Sequence, residues 1–137
     1  MNKLFLLLMA AALMLGGCTP SAQSPDTYRQ ISTQEAVDMM ASETGYIILD
    51  VRRSDEYAAG HIPGAINIPN EDIGTEEIPR LPEKDQRIYV YCRSGNRSKQ
   101  ASEKLVALGY TDIVEIGGIM DWTGETVTGP DGSDIVC

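Results

Sequence analysis

Cysteine is scarce in this 137-residue chain: there are three, Cys18, Cys92 and Cys137, and no two of them form a C-x-x-C pair. That excludes a disulfide framework and a multi-cysteine zinc site, and it leaves a dithiol redox protein without its motif. Basic charge is also in short supply, with 11 Lys and Arg against 20 Asp and Glu and a net charge of −9. Such a surface repels nucleic acid and anionic lipid headgroups, so no nucleic-acid partner and no polybasic membrane contact are expected. Long apolar runs are missing too. The longest, Leu4 to Leu15, is too short to cross a bilayer comfortably. No internal repeat is visible.

What is present begins with that run. Lys3 followed by Leu4–Leu15 has the charge and length of a signal-peptide core. It ends in "LGGC", Leu15 to Cys18, which resembles the lipobox of bacterial lipoproteins. The resemblance implies a signal peptide over 1–17, cleavage before Cys18, and a diacylglycerol on the Cys18 sulfur. The protein would then be lipid-anchored to a bacterial membrane and extracytoplasmic. Loss of Lys3 with the leader makes the remainder one unit more acidic. "TPSAQSPDTYRQ" from Thr19 is rich in Ser, Thr and Pro without apolar period, so residues 18–27 read as a tether.

The remaining length suits one domain, expected over 28–125, with a C-terminal tail over 126–137. "ISTQEAVDMMAS" offers Ser32 as N-cap, Glu35 three residues later, and Ile31 placed to staple onto Ala36, which predicts a helix ending before Gly45. "YIILD", Tyr46 to Asp50, is a continuous run of strand formers. Ser54 is expected to cap a short helix that Gly60 stops, and Ala65–Ile68 to form a short strand. Acidic residues around Pro79 and Pro82 mark a surface loop. "RIYVY", Arg87 to Tyr91, predicts the next strand, and Ala101, Leu105 and Leu108 a helix stopped by Gly109. "TDIVEI" predicts a last strand, Gly117 and Gly118 a tight turn, and "IMDW" a helical turn. Strands alternating with helices imply a mainly parallel α/β sheet with helices on both faces.

Chemistry in such sheets gathers at the carboxyl ends of strands, and Cys92 stands at one. In "YCRSGNRS" the amides of Arg93 to Ser98 can curl around its sulfur, and the helix that follows adds partial positive charge. Arg93 and Arg97 add two full charges, and all of these favour thiolate over thiol. Ser94, Gly95 and Asn96 tolerate the backbone angles of a tight cradle.

"DVR" at Asp50–Arg52, "GHIPGAINIP" at Gly60–Pro69, "YCRSGNRS" at Tyr91–Ser98, "LGY" at Leu108–Tyr110 and "GGIMDW" at Gly117–Trp122 occur in that order. In these motifs the chain resembles the rhodanese family of sulfurtransferases over about 28–125. The resemblance implies a rhodanese-like α/β fold with a central five-stranded parallel sheet, and a cysteine that carries sulfur as a persulfide. It makes Cys92 the nucleophile and Arg93, Ser94, Gly95, Asn96, Arg97 and Ser98 the loop that holds the substrate sulfur. Asp50 and Arg52 become supports for that loop. His61 is expected to be a hydrogen-bonded turn residue rather than a general base, and Trp122 a packing residue.

Four residues, not five, separate Cys92 from Arg97, so the loop is too small to surround a phosphate and suits a single outer sulfur atom. The expected partners are a small sulfur donor such as thiosulfate and a thiol or cyanide acceptor. No metal or organic cofactor is called for, and a monomeric domain is expected. A membrane-tethered binding or redox-sensing module without turnover is the competing reading; such modules usually lose the cysteine or the loop charges, and this chain keeps both. Cys137 is left over. As the one thiol besides Cys92 once Cys18 is acylated, it is the candidate redox partner that could condense with an oxidised Cys92 in an oxidising compartment.

Overall fold

The computed structural model describes residues 27–132. The predicted leader, Cys18 and Cys137 lie outside the described residues. The elements are β1 (Arg29–Gln30), α1 (Thr33–Ser42), β2 (Ile47–Asp50), α2 (Ser54–Ala59), β3 (Ile66–Asn67), β4 (Ile88–Cys92), α3 (Asn96–Ala107) and β5 (Ile113–Gly118), with 3-10 turns at Asn70–Asp72 and Ile119–Asp121. The strands form one sheet in the order β1-β5-β4-β2-β3. Every pairing is parallel. The expected fold class is therefore observed, including the fifth strand.

Local chemistry explains most of the boundaries. Ser32 caps α1 as expected: its hydroxyl accepts from Glu35 N at 3.1 Å, and Glu35 Oε2 accepts from Ser32 N at 3.0 Å. The cap of α2 is displaced by one residue. Arg53 occupies the N-cap and Ser54 the first helical position, because the Glu56 carboxylate reaches back to Arg53 N at 2.9 Å and serves that end of the helix.

Period-two alternation divides the core between the two faces of the sheet. Ile88, Val90 and Cys92 of β4 join Leu49, Val51, Ala101, Leu105 and Ile113 on the face covered by α3. Tyr89 and Tyr91 join Ala36, Ile48, Tyr57, Ile62, Val114 and Ile116 on the face covered by α1 and α2.

Residues 127–131 are held against the body. Val127 exchanges two backbone hydrogen bonds with His61, and Gly129 N donates to Ala58 O, all at 2.9 Å. Farther on, Asp131 Oδ2 accepts from Asn67 N at 3.2 Å and from Arg80 Nη1 at 2.6 Å, while the same Arg80 nitrogen donates to Asn67 O at 3.1 Å. Among the described residues, no helix is long and apolar enough to cross a membrane.

Candidate active site

Cys92 is the last residue of β4, one position beyond the predicted strand end, and its side chain is 1% exposed on the α3 face. Gly95 N donates to its Sγ at 3.0 Å, and the thiol lies 3.4 Å from Ser98 Oγ, to which it donates. Gly95 is the N-cap of α3, so the sulfur sits at the positive end of that helix.

The close fit depends on the end of β5. Val90 pairs with Glu115 and Cys92 with Gly118, so β5 spends three steps where β4 spends two. That extra residue is a β-bulge, with Gly117 at φ +86°. The predicted tight turn at Gly117–Gly118 is thus corrected: the strand continues through the pair, kinked, and ends beside the cysteine. A Cβ on Gly118 would overlap the Arg93 carbonyl and lie 2.6 Å from Ser94 Cα, so only glycine lets β5 approach the loop. Met120 N then donates to Arg93 O at 3.2 Å and pins the loop to the turn after β5.

The two loop arginines differ. Arg97 is half-buried and forms a two-point ion pair with Glu56 of α2, at 2.7 and 3.0 Å. Hydrogen bonding from Arg97 holds the Glu56 carboxyl down at about 2, against the opposing effect of burial. Arg93, Ser94 and Asn96 are exposed around the mouth.

Asp50 and Arg52 are buried together. Arg52 Nε lies 3.0 Å from both Asp50 oxygens, Nη2 lies 2.6 Å from Oδ2, and the same Nη2 donates to Gly60 O at 2.6 Å. Their expected support of the cysteine loop is indirect. They fix the β2–α2 connection and the far end of α2, and α2 in turn presents Glu56 to Arg97. Asn67 completes the brace by donating to the carbonyls of Asp50 at 3.0 Å and Arg52 at 2.9 Å.

His61 is fully buried, its ring stacked on Tyr57 at 3.7 Å and its Nδ1 2.8 Å from Tyr57 O, as a turn residue should be. Trp122 packs against the α1 and α2 cluster, and its indole donates to Glu125 O at 3.1 Å. Tyr91 carries its hydroxyl across the sheet to accept from Ile62 N at 3.1 Å. Burial first, and the Asp50 charge second, push that phenol far above its ordinary range.

One site residue was not expected: Glu115 of β5, 2% exposed. Its Oε1 accepts from Ser98 Oγ at 2.6 Å and from Gly117 N at 2.8 Å. Pairing with β1 places β5 inside the sheet, so the acid in "DIVEI" is buried on the Cys92 face. The signal was a charge in an apolar strand; the short β1 hid it, because an edge strand would have left Glu115 in water. Among the described residues, no cluster of His, Cys, Asp and Glu could hold a metal ion.

Comparison with known proteins agrees with this geometry. Residues 32–125 match the family model for the rhodanese-like domain. A thiosulfate sulfurtransferase from Pseudomonas entomophila is 33% identical over 107 residues, covering 74% of this chain and 94% of that protein. The chain spans only 57% of the length of a larger Bacillus subtilis relative, 33% identical over 107 residues. A rhodanese-related protein from Thermoplasma volcanium superposes with a TM-score of 0.61 at 33% identity, over 73% of this chain and 98% of that one. With its cysteine loop, its parallel sheet and 94 consecutive residues matched, the chain belongs to the rhodanese family of sulfurtransferases.

Proposed function

We propose that the protein moves sulfane sulfur from an anionic donor such as thiosulfate, through a persulfide on Cys92, to a thiol or cyanide acceptor. The observation that carries this reading is the small cradle around one sulfur atom, with Gly95 N 3.0 Å from Cys92 Sγ at the N-terminus of α3. In the first step Cys92 Sγ attacks the outer sulfur of thiosulfate. A sulfur–sulfur bond forms on Cys92, the donor's own sulfur–sulfur bond breaks, and its electron pair leaves with sulfite. In the second step the acceptor attacks the outer sulfur and the Cys92 electron pair returns to Sγ.

The Gly95 amide directed at the sulfur and the N-terminal end of α3 offset the charge that builds there. Arg93 supplies positive charge to the donor at the mouth, while the charge of Arg97 is answered by Glu56. Intact mass after thiosulfate treatment tests the reading: a gain of one sulfur atom, removed by cyanide and lost in Cys92→Ser, is expected. No gain in the wild type would favour a binding or sensing module instead.

The chain is further proposed to be exported and held at a bacterial membrane by a lipid on Cys18, on the strength of "LGGC" after an apolar leader. Cys18→Ala is expected to move the protein from the membrane fraction to the soluble one. Retention after a high-salt wash would overturn the anchor.

A further inference from the structure

Behind Cys92 lies a hydrogen-bonded chain that sulfur transfer, as written above, does not use. Cys92 Sγ is 3.4 Å from Ser98 Oγ, and Ser98 Oγ is 2.6 Å from Glu115 Oε1. All three side chains are at most 2% exposed. A serine hydroxyl has one proton to give. Three oxygens surround Ser98 Oγ: Glu115 Oε1 at 2.6 Å, Gly95 O at 2.9 Å and Gly117 O at 3.4 Å. The carboxylate is the nearest and the only charged one, so the proton goes there, and the serine lone pairs are left to accept the thiol hydrogen. The order of donors is therefore fixed: thiol to hydroxyl, hydroxyl to carboxylate.

Burial of a carboxylate is costly without a cation, and among the described residues none of the ion pairs includes Glu115. What Glu115 has instead is the Gly117 amide and a route to the sulfur.

We propose that Glu115, acting through Ser98, takes the proton of Cys92 when its sulfur reacts and returns it when the sulfur leaves. Glu115 is a positioning residue for a proton and does not touch the substrate. With thiosulfate, the Cys92 thiol, the Glu115 carboxylate and the donor become the Cys92 persulfide anion, the neutral Glu115 acid and sulfite. The thiol proton passes to Ser98 as the Ser98 proton passes to Glu115, and total charge is unchanged. When an acceptor thiolate removes the outer sulfur, the released Cys92 sulfur regains its proton by the reverse shift.

Other charged groups face this chain. Arg97 on α3 is raised above its ordinary range first by its hydrogen bonds to Glu56 of α2 and further by Cys92 and by Asp50 of β2. Tyr28, ahead of β1, is raised by burial first and then by Glu103 and Glu115. Arg93 stands in the loop, and the lateral neighbours of Glu115, Gln30 and Val90, carry no charge.

The relay rests on the proposed role of Cys92 but shows itself in a reaction that needs no sulfur transfer. Alkylation of Cys92 by iodoacetamide, followed peptide by peptide in the full chain, is measured against pH. A proton acceptor built into the site works without hydroxide, so the wild-type rate should show an acid shoulder. Glu115→Gln keeps an oxygen for Ser98 and Gly117 and loses only the proton acceptor. It should abolish the shoulder and react about tenfold more slowly, or less, near pH ~6, with the difference closing as hydroxide takes over in alkaline solution.

Ser98→Ala should do the same with Glu115 intact, and the double variant should be no slower than either single one, because all three cut one route. Should Ser98→Ala fail to fold, Glu115→Gln decides alone. Superimposable profiles for wild type and Glu115→Gln would overturn the proposal, as would a faster variant at every pH, which would show Glu115 only repelling the thiolate. A shoulder in a protein that takes no sulfur from thiosulfate would overturn the proposed function and leave the relay standing.

Discussion

Two buried acids stand near the carboxyl ends of two strands of one sheet, with β4 between them, and they are treated in opposite ways. Asp50, at the end of β2, is wrapped by Arg52 and faces the side covered by α1 and α2. Glu115, near the end of β5, faces α3 and meets only a hydroxyl and an amide. The first arrangement neutralises charge within the fold and has no group left over for chemistry. The second keeps a proton acceptor within two hydrogen bonds of a sulfur atom. Burial alone therefore does not mark a functional carboxylate; the identity of its partners does.

Substitution at each acid separates the two roles most sharply. Asp50→Asn leaves the Arg52 charge buried without its counter-charge and should cost about 3–5 kcal/mol of stability, measured by denaturant unfolding. Glu115→Gln keeps the acceptor oxygen and should cost under about 1.5 kcal/mol in the same measurement, while changing the alkylation profile. Equal stability losses would erase the distinction.

A smaller effect comes from the ion pair that ties α2 to the cysteine loop. Glu56 has an ordinary value of 4.5 and is held at about 2 in the folded protein. A depressed carboxyl stabilises the fold above its unfolded value, and that stabilisation fades as pH falls from 4.5 toward about 2. The melting temperature should drop through that window in the wild type and drop less in Glu56→Gln. An identical slope in both would show that the pair contributes nothing.

The smallest expected change is at the mouth. Arg93→Ala removes an exposed charge worth up to about 1 kcal/mol, so the KM for thiosulfate should rise a few-fold while a neutral persulfide donor is affected less. Equal changes with both donors would assign Arg93 to the folding of the loop, alongside its carbonyl contact with Met120 N.

The strands and helices legible in the sequence were those whose residues agree with their local surroundings: the Ser32–Glu35 box, the apolar runs of β2 and β4, the glycine stops. The loop was legible as well, because Cys92, its glycine and its arginines are contiguous. What escaped were features set by contacts far apart in the chain. β1 is two residues long and has no pattern of its own; it exists because Arg29 and Gln30 lie along β5. The bulge at Gly117 depends on the register between β4 and β5, which no local window contains. The burial of Glu115 followed from both, and the pairing of Arg97 with Glu56, 41 positions apart, is a separate long-range contact between α3 and α2.

A parallel sheet has two sides where a further strand could add, and here one is short and the other is covered. One ends in the two residues of β1. Along the other, β3, the groups of Asn67 that turn away from β2 are occupied by the side chains of Asp131 and Arg80, themselves joined at 2.6 Å. Along β3 a stray extended peptide, or the same strand of a second molecule, finds the Asn67 donor and acceptor already taken. The segment that returns over α2 thus covers the β3 edge, and the β1 edge offers only two residues for a stray strand to pair with.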